Sequence, residues 1–216
     1  MKQRRQHPTS SAKNATHQIQ IIGGEFRSRK ISVIDADGLR PTAARVRETL
    51  FNWLQSIIPG SIVIDAFAGT GALGIEALSR GAKKAIFIEK DPAVFRQLQA
   101  NIAALKIPAD KVLLLNQDGL KFLQTDNPQL QPIIAEIAAN DTRCHLFLDP
   151  PFFAGFYPEL LAMLKASELL DQITSLSIES PVKSAIDTAN AFVPLEMYRE
   201  MKTKESLLQF YRRSDK

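Results

Sequence analysis

Two short stretches of this chain carry residue types arranged for chemistry. The first is Asp65-Ala66-Phe67-Ala68-Gly69-Thr70-Gly71, which follows the β-branched run Ile62-Val63-Ile64 and precedes Leu73, Ile75, Ala77 and Leu78 at helical spacing. A carboxylate closing a buried strand, glycines free to take positive φ, and the unpaired N–H groups of a helix start together make a ligand cradle. The second is Asp149-Pro150-Pro151-Phe152, directly after the apolar run 146–148. Its two prolines fix φ and remove two backbone donors. What remains is an acid, rigid carbonyl acceptors and an aromatic face, a set that suits a planar base bearing an exocyclic amine. Two further acids, Glu89 and Asp118, also stand just beyond short apolar runs, 85–88 and 112–115.

Bringing these acids together requires a frame, and the periodicity supplies one. Residues 18–22 and 30–34 read as extended runs around a Gly23-Gly24 turn, a small β-hairpin. Asp37-Gly38 marks another turn, and Thr42 is a fitting N-cap for a helix over 43–58. Val46, Leu50, Trp53, Leu54 and Ile57 form that helix's apolar stripe, with Arg45, Arg47 and Glu48 largely off it. Strands at 62–64, 85–88, 112–115, 146–148 and 176–178 then alternate with helices at 92–105, 120–123 and 156–164, and a short one near Lys183. Residues 124–143, with Pro128 and Pro132, form a poorly defined connection holding a helix at 133–139. The end, 195–213, reads as two strands turning near Thr203-Lys204. The fold class is α/β, a doubly wound, mostly parallel sheet with a terminal antiparallel strand pair and an N-terminal hairpin. In such sheets ligands bind beyond the carboxyl ends of the strands, where all four acids stand.

Composition narrows the classes. The chain has 216 residues, 45% of them hydrophobic, enough for one full core. No apolar run approaches a membrane span, and residues 1–20 lack the apolar segment of a secretory signal. Their basic, acid-free character also fits a transit peptide. A single cysteine, Cys144, excludes an internal disulfide and fits a reducing compartment. His7, His17 and His145 make no ligand cluster with it, so no metal site is expected. Lys2, Arg4, Arg5 and Lys13 are the only charges before Glu25, and they equal the whole net charge of +4. A basic arm on a formally neutral body points to a polyanionic partner such as nucleic acid, unless it is a solvated tail. Residues 1–18 read as that basic disordered tail, 19–60 as an extension of hairpin and helix, and 61–216 as the catalytic domain.

The glycine turn alone leaves two ligands open. Gly69, Gly71 and Gly74 satisfy G-x-G-x-x-G, and Glu89 lies where a dinucleotide site places its ribose-binding acid. A carboxylate at Asp65 is awkward for a pyrophosphate and suits an ammonium-bearing ligand such as S-adenosylmethionine. Asp65 to Gly71 resembles motif I of the class I methyltransferases, and Asp149 to Phe152 is similar to motif IV of the amino-group methyltransferases. Three further segments, Ile21-Ile22-Gly23-Gly24, Gly38-Leu39-Arg40-Pro41-Thr42 and Arg45-Val46-Arg47-Glu48-Thr49-Leu50-Phe51-Asn52-Trp53-Leu54, resemble the bacterial 16S ribosomal RNA guanine-N2 methyltransferase family. The match covers about 20–123 and 144–213.

That resemblance implies a Rossmann-like class I methyltransferase, cytoplasmic and monomeric, acting on 16S rRNA or the small ribosomal subunit with S-adenosylmethionine and no metal. Asp65, Phe67, Gly69 and Gly71 would cradle the methionine part of the cofactor, Glu89 the ribose hydroxyls and Asp118 the adenine amino group. Asp149, Pro150, Pro151 and Phe152 would hold the target guanine, and Arg27, Arg40, Thr42 and Arg45 would contact RNA. The chain departs from the family at Ala44, where an acid is expected, at Cys144-His145, which replace Phe-Asp, and in a longer 124–143. Rival readings are an adenine-N6 methyltransferase, a non-catalytic rRNA-binding or assembly protein, and a nicotinamide oxidoreductase, in which Asp149-Pro-Pro-Phe has no role.

Overall fold

In a computed structural model, residues 16–34, 44–139, 141–152, 156–182 and 192–213 are described. Thr16–Gln20 (β1) and Lys30–Ile34 (β2) pair antiparallel, with Gln18 opposite Ser32. The strand therefore starts inside the stretch expected to be a disordered tail. The basic residues Lys2, Arg4, Arg5 and Lys13, the 37–42 segment with Arg40 and Thr42, and the helix expected near Lys183 lie outside the described residues. Ala44–Trp53 forms α1. It ends five residues before the expected boundary, and the chain reaches Ile58 through turns such as Leu54 N–H to the Leu50 carbonyl. Leu54 and Ile58 remain buried through those turns, so the apolar stripe outlasts the helix that the pattern implied.

One charge on α1 is misplaced by periodicity. Arg47 is only 2% exposed. Its Nη2 donates to the Gln20 carbonyl at 3.1 Å and its Nη1 lies 3.9 Å from Glu76. Nε and Nη1 have no hydrogen-bond partner. Burial lowers the Arg47 pKa, and the Glu76 charge opposes that. Arg47, expected largely off the apolar stripe, is therefore docked against the hairpin.

The main sheet takes its strands from β-branched and leucine-rich runs. They are Ile62–Asp65 (β3), Lys84–Ile88 (β4), Val112–Leu115 (β5), Cys144–Leu148 (β6), Ser175–Pro181 (β7), Leu195–Lys202 (β8) and Ser206–Arg213 (β9), in the order β5-β4-β3-β6-β7-β9-β8. The first five are parallel, and β9 and β8 close the sheet antiparallel. Ala72–Ser79 (α2), Pro92–Leu105 (α3), Gly119–Phe122 (α4), Leu130–Ala139 (α5), Phe156–Ala166 (α6) and Leu169–Gln172 (α7) connect them. Side chains alternate between faces. Ile62, Ile64, Ile86, Ile88, Leu146 and Leu148 enter one core with residues of α4 to α7. Val63, Ala85, Phe87 and Phe147 enter the other, which α1, α2, α3 and the hairpin complete.

Residues 124–143 are more ordered than their composition implied. The chain must return from β5 across β4 and β3 to β6, a crossover that in parallel sheets is normally helical. The α5 helix fills that path and buries Leu130, Ile133 and Ile137. Pro132 is its third residue, within the first turn, where a missing N–H costs no helical bond. The helix expected over 133–139 is thus present and starts three residues earlier, with Pro132 in its first turn. No helix among the described residues is long and apolar enough to cross a membrane.

Candidate active site

Four acids converge because four adjacent parallel strands end together. Asp65 closes β3 and lies opposite Phe147 of β6 and Phe87 of β4. Asp149 follows Leu148, Glu89 follows Ile88, and Asp118 stands three residues past Leu115. The chain runs outward from β3 to β5 and returns to β6, so the β3–β6 boundary is the topological switch point where such sheets open a crevice. The glycine turn borders that crevice on one side and the Asp149 turn on the other.

The glycine turn takes the shape its residues allow. Gly69 and Gly71 have φ of 53° and 93°, and Gly71 serves as the left-handed N-cap of α2. Ala68 N–H donates to the Ile88 carbonyl at 2.9 Å and Gly71 N–H to the Ala68 carbonyl at 2.8 Å. The third glycine of the pattern has a different duty. A Cβ at Gly74 would overlap the Phe87 ring, so Gly74 allows α2 to lie close against β4.

The acids of the turn are unequal. Asp65 is 1% exposed, and its Oδ2 accepts from the Gly74 N–H at 3.0 Å. Its Oδ1 is buried with no hydrogen-bond partner among the described residues. Burial pushes the Asp65 carboxyl up to about 7, partly opposed by the Gly74 bond and reinforced by the Glu89 charge. A buried acceptor without a donor is costly, and an ammonium group arriving at Oδ1 would relieve it. Glu89 is also shifted up by burial. Its Oε2 accepts from the Gly69 N–H at 2.9 Å and its Oε1 from the Asp91 N–H at 2.7 Å. Glu89 therefore holds the glycine turn in addition to any ligand contact. Asp118 is half-buried and N-caps α4, its Oδ1 accepting from Leu120 and Lys121 N–H groups.

The second turn is laid out as its composition required. Asp149 is half-buried, Pro150 is buried, and Phe152 is 40% exposed, an aromatic face open to a stacking partner. Phe67 of the glycine turn meets Phe156, the first residue of α6, edge-on at 5.6 Å between ring centroids. Behind them Tyr157, 2% exposed, donates from its hydroxyl to the Glu179 carbonyl at 3.1 Å. Burial and the charges of Asp149 and Glu179 raise the Tyr157 phenol.

The RNA candidates are more scattered. Arg45 is exposed in the first turn of α1. Arg27 is exposed in the hairpin loop, which is fastened to the C-terminal end of α2 by Glu25 N–H to the Ser79 carbonyl at 2.7 Å. The loop that carries it is therefore anchored at the end of α2 away from the glycine turn. Sequence reasoning passed over Phe156, Tyr157, Glu76 and Asn101. The last carried a signal: an asparagine among Val94, Leu98, Ile102 and Leu105 on the buried face of α3.

A glycine turn beside a buried strand-end acid, faced across the switch point by an acid-proline-proline turn, defines a Rossmann-like methyltransferase. Comparison with known proteins narrows that class. The chain belongs to the family described as conserved hypothetical protein 95, which matches residues 19–212, and is a relative of ribosomal RNA small subunit methyltransferase D. It is 40% identical over 167 residues to that protein of Haemophilus influenzae, spanning 77% of this chain and 81% of the other. Against that of Escherichia coli K12 it is 38% identical over 196 residues, 91% and 90% of the two chains. Among solved structures, the Escherichia coli protein yhhF, assigned as a methyltransferase, superposes with a TM-score of 0.72 at 37% identity, covering 91% of this chain and 98% of that one. A Haemophilus influenzae protein assigned as a methylase gives 0.68 at 29% identity, covering 92% and 100%.

Proposed function

We propose that this protein transfers a methyl group from S-adenosylmethionine to N2 of a guanine in 16S rRNA of the small ribosomal subunit, as a monomeric cytoplasmic enzyme. The observation that carries the reading is the donor-less Oδ1 of Asp65, buried one strand away from the Asp149-Pro150-Pro151-Phe152 turn. The names of the ribosomal RNA relatives support RNA as the substrate.

S-adenosylmethionine, when bound, supplies an electrophilic methyl group on a positively charged sulfur. The protein's own work is then positioning and polar stabilisation. Asp65 accepts from the ligand's ammonium group through Oδ1, the Gly69–Gly71 turn admits close backbone approach, Glu89 takes the ribose hydroxyls and Asp118 the adenine amine. Asp149 and the Pro150 carbonyl accept the two hydrogens of the guanine amine. Its lone pair, otherwise delocalised into the ring, is thereby localised toward the methyl group. Phe152 stacks on a base that has left its own stack. Arg45, Arg27 and the segment holding Arg40 and Thr42 serve the surrounding RNA.

The test is transfer of labelled methyl from S-adenosylmethionine to small subunits from cells lacking this protein, followed by mapping of the modified base. A labelled guanine N2 in 16S rRNA is expected. Label on adenine, or only on DNA, would establish the adenine-N6 reading instead. Tight NAD binding without methyl transfer would overturn the assignment of the turn.

A further inference from the structure

One side chain joins the N-terminal hairpin to the glycine turn. Asn101, on α3 and 4% exposed, makes four hydrogen bonds. Its Oδ1 accepts from the Ser32 N–H at 3.0 Å and from Gln97 Nε2 at 3.2 Å. Its Nδ2 donates to the Ser32 carbonyl and to the Thr70 carbonyl, both at 2.9 Å. These bonds use the full capacity of a primary amide. Asn101 thus grips both backbone groups of Ser32 in β2, as a neighbouring strand would. The same nitrogen holds Thr70 between Gly69 and Gly71.

The other anchors of the hairpin avoid the turn. Glu76 accepts from the Ile22 and Gly23 N–H groups at 2.8 Å each. Ser79 accepts from the Phe26 N–H at 2.8 Å. Arg29 donates to the Ala104 and Leu105 carbonyls at the end of α3. Two glycines at positive φ give the turn little stiffness of its own, so its shape depends on outside bonds, chiefly those of Glu89 and Asn101. Thr16 pairs with Ile34 and Gln20 with Lys30, so the two hairpin strands are matched along their full length.

We propose that Asn101 is a positioning residue that couples the docking of the hairpin to the shape of the cofactor turn. Docking of the hairpin and cofactor binding are then thermodynamically linked. This rests on the reading of residues 65–71 as the S-adenosylmethionine turn. Because linkage is reciprocal, ligand at the turn must also steady the hairpin.

The experiment is hydrogen exchange and calorimetry on the full-length protein with S-adenosylhomocysteine as the probe. Saturating ligand should slow amide exchange in β2 as well as in the glycine turn. In Asn101→Ala the turn should still be protected while the response of β2 disappears. Affinity should fall about fivefold, the worth of one ordinary net hydrogen bond. Arg29→Ala should loosen the hairpin, keep the ligand response of β2 and leave affinity within about twofold, since its bonds reach only the end of α3. If Asn101→Ala melts early, its exchange is read at a temperature at which the variant stays folded. An unresponsive β2 in the parent protein overturns the link without any variant, and so does a response that survives in Asn101→Ala. A parent protein that binds no S-adenosylhomocysteine would overturn the reading of the turn itself, and the link with it.

Discussion

Asp149 and Asp65 have opposite roles, and single substitutions separate them. On the proposed reading Asp149 meets the substrate amine, and its contribution then belongs to the transition state. Asp149→Ala should cut turnover by orders of magnitude while S-adenosylmethionine affinity, measured by calorimetry, stays near the parental value. Asp149→Asn keeps a side-chain acceptor and should retain more activity than the alanine variant. Parental turnover in a correctly folded Asp149→Ala protein would remove Asp149 from the site. Asp65, on the same proposed reading, is held for a ligand at the expense of the unliganded fold. Its carboxyl titrates near 7 in the folded chain against a reference of 3.8. Below the lower value both states are protonated and nothing is lost. As pH rises through that window, the unfolded chain releases its proton first and stability falls. Above about 7 the penalty is complete, on the order of 2–4 kcal/mol. Asp65→Asn should therefore be more resistant to urea than the parent at pH 8, equal to it near pH 4, and poor at binding S-adenosylmethionine. Identical unfolding midpoints at pH 8 would show that Asp65 carries no such penalty.

At the scale of elements, close packing of α2 on β4 sets the height of the glycine turn above the sheet. Gly74→Ala drives a methyl group into the ring of Phe87, the penultimate residue of β4 and fully buried. Overpacking of this kind costs about 1–3 kcal/mol. The displaced α2 also draws the Gly74 N–H from Asp65, so cofactor affinity should fall together with stability. A variant with parental melting temperature and parental affinity would show that α2 can shift freely. On β6, His145 is fully buried between Ser175 Oγ at 2.7 Å and Ser177 Oγ at 3.1 Å. Burial lowers its pKa to about 3. The unfolded chain binds a proton below about 6.5 that the folded chain refuses, so this contribution is present above 6.5 and lost as pH falls toward 3. His145→Gln should flatten the acid limb of the stability curve over that window, read from urea midpoints at several pH values. An unchanged slope would assign acid sensitivity to other groups.

For the whole molecule, the body from Glu25 onward is formally neutral and the excess charge sits in the first residues of the chain. If those four cations meet phosphates, deleting residues 1–15 should weaken RNA binding and reduce its salt slope, with cofactor affinity retained. An identical slope with and without the segment would return it to the status of a solvated tail. The deletion stops short of β1, so both hairpin strands and the bonds of Glu76 and Asn101 stay in place.

The reactive turns were legible in the sequence because their chemistry is local. A strand-end acid, a glycine turn and an acid followed by two prolines dictate their own backbone. The helix Pro92–Leu105 kept its predicted limits because its N-cap Asp91, accepting from Ala93 and Val94, and Pro92 at its first position specify the start within a few residues. Longer-range facts had no local signature. Arg47 lies among charged neighbours in sequence, yet it is buried because the hairpin supplies the Gln20 carbonyl from 27 residues away. Pro132 resembled a loop until the crossover from β5 to β6 required a helix there. Asn101 was visible only as a polar residue on an apolar stripe. That it spans from β2 to Thr70, 69 and 31 residues distant, was decided by tertiary structure, since a side-chain amide finds its partners only after helix, hairpin and turn have been brought together.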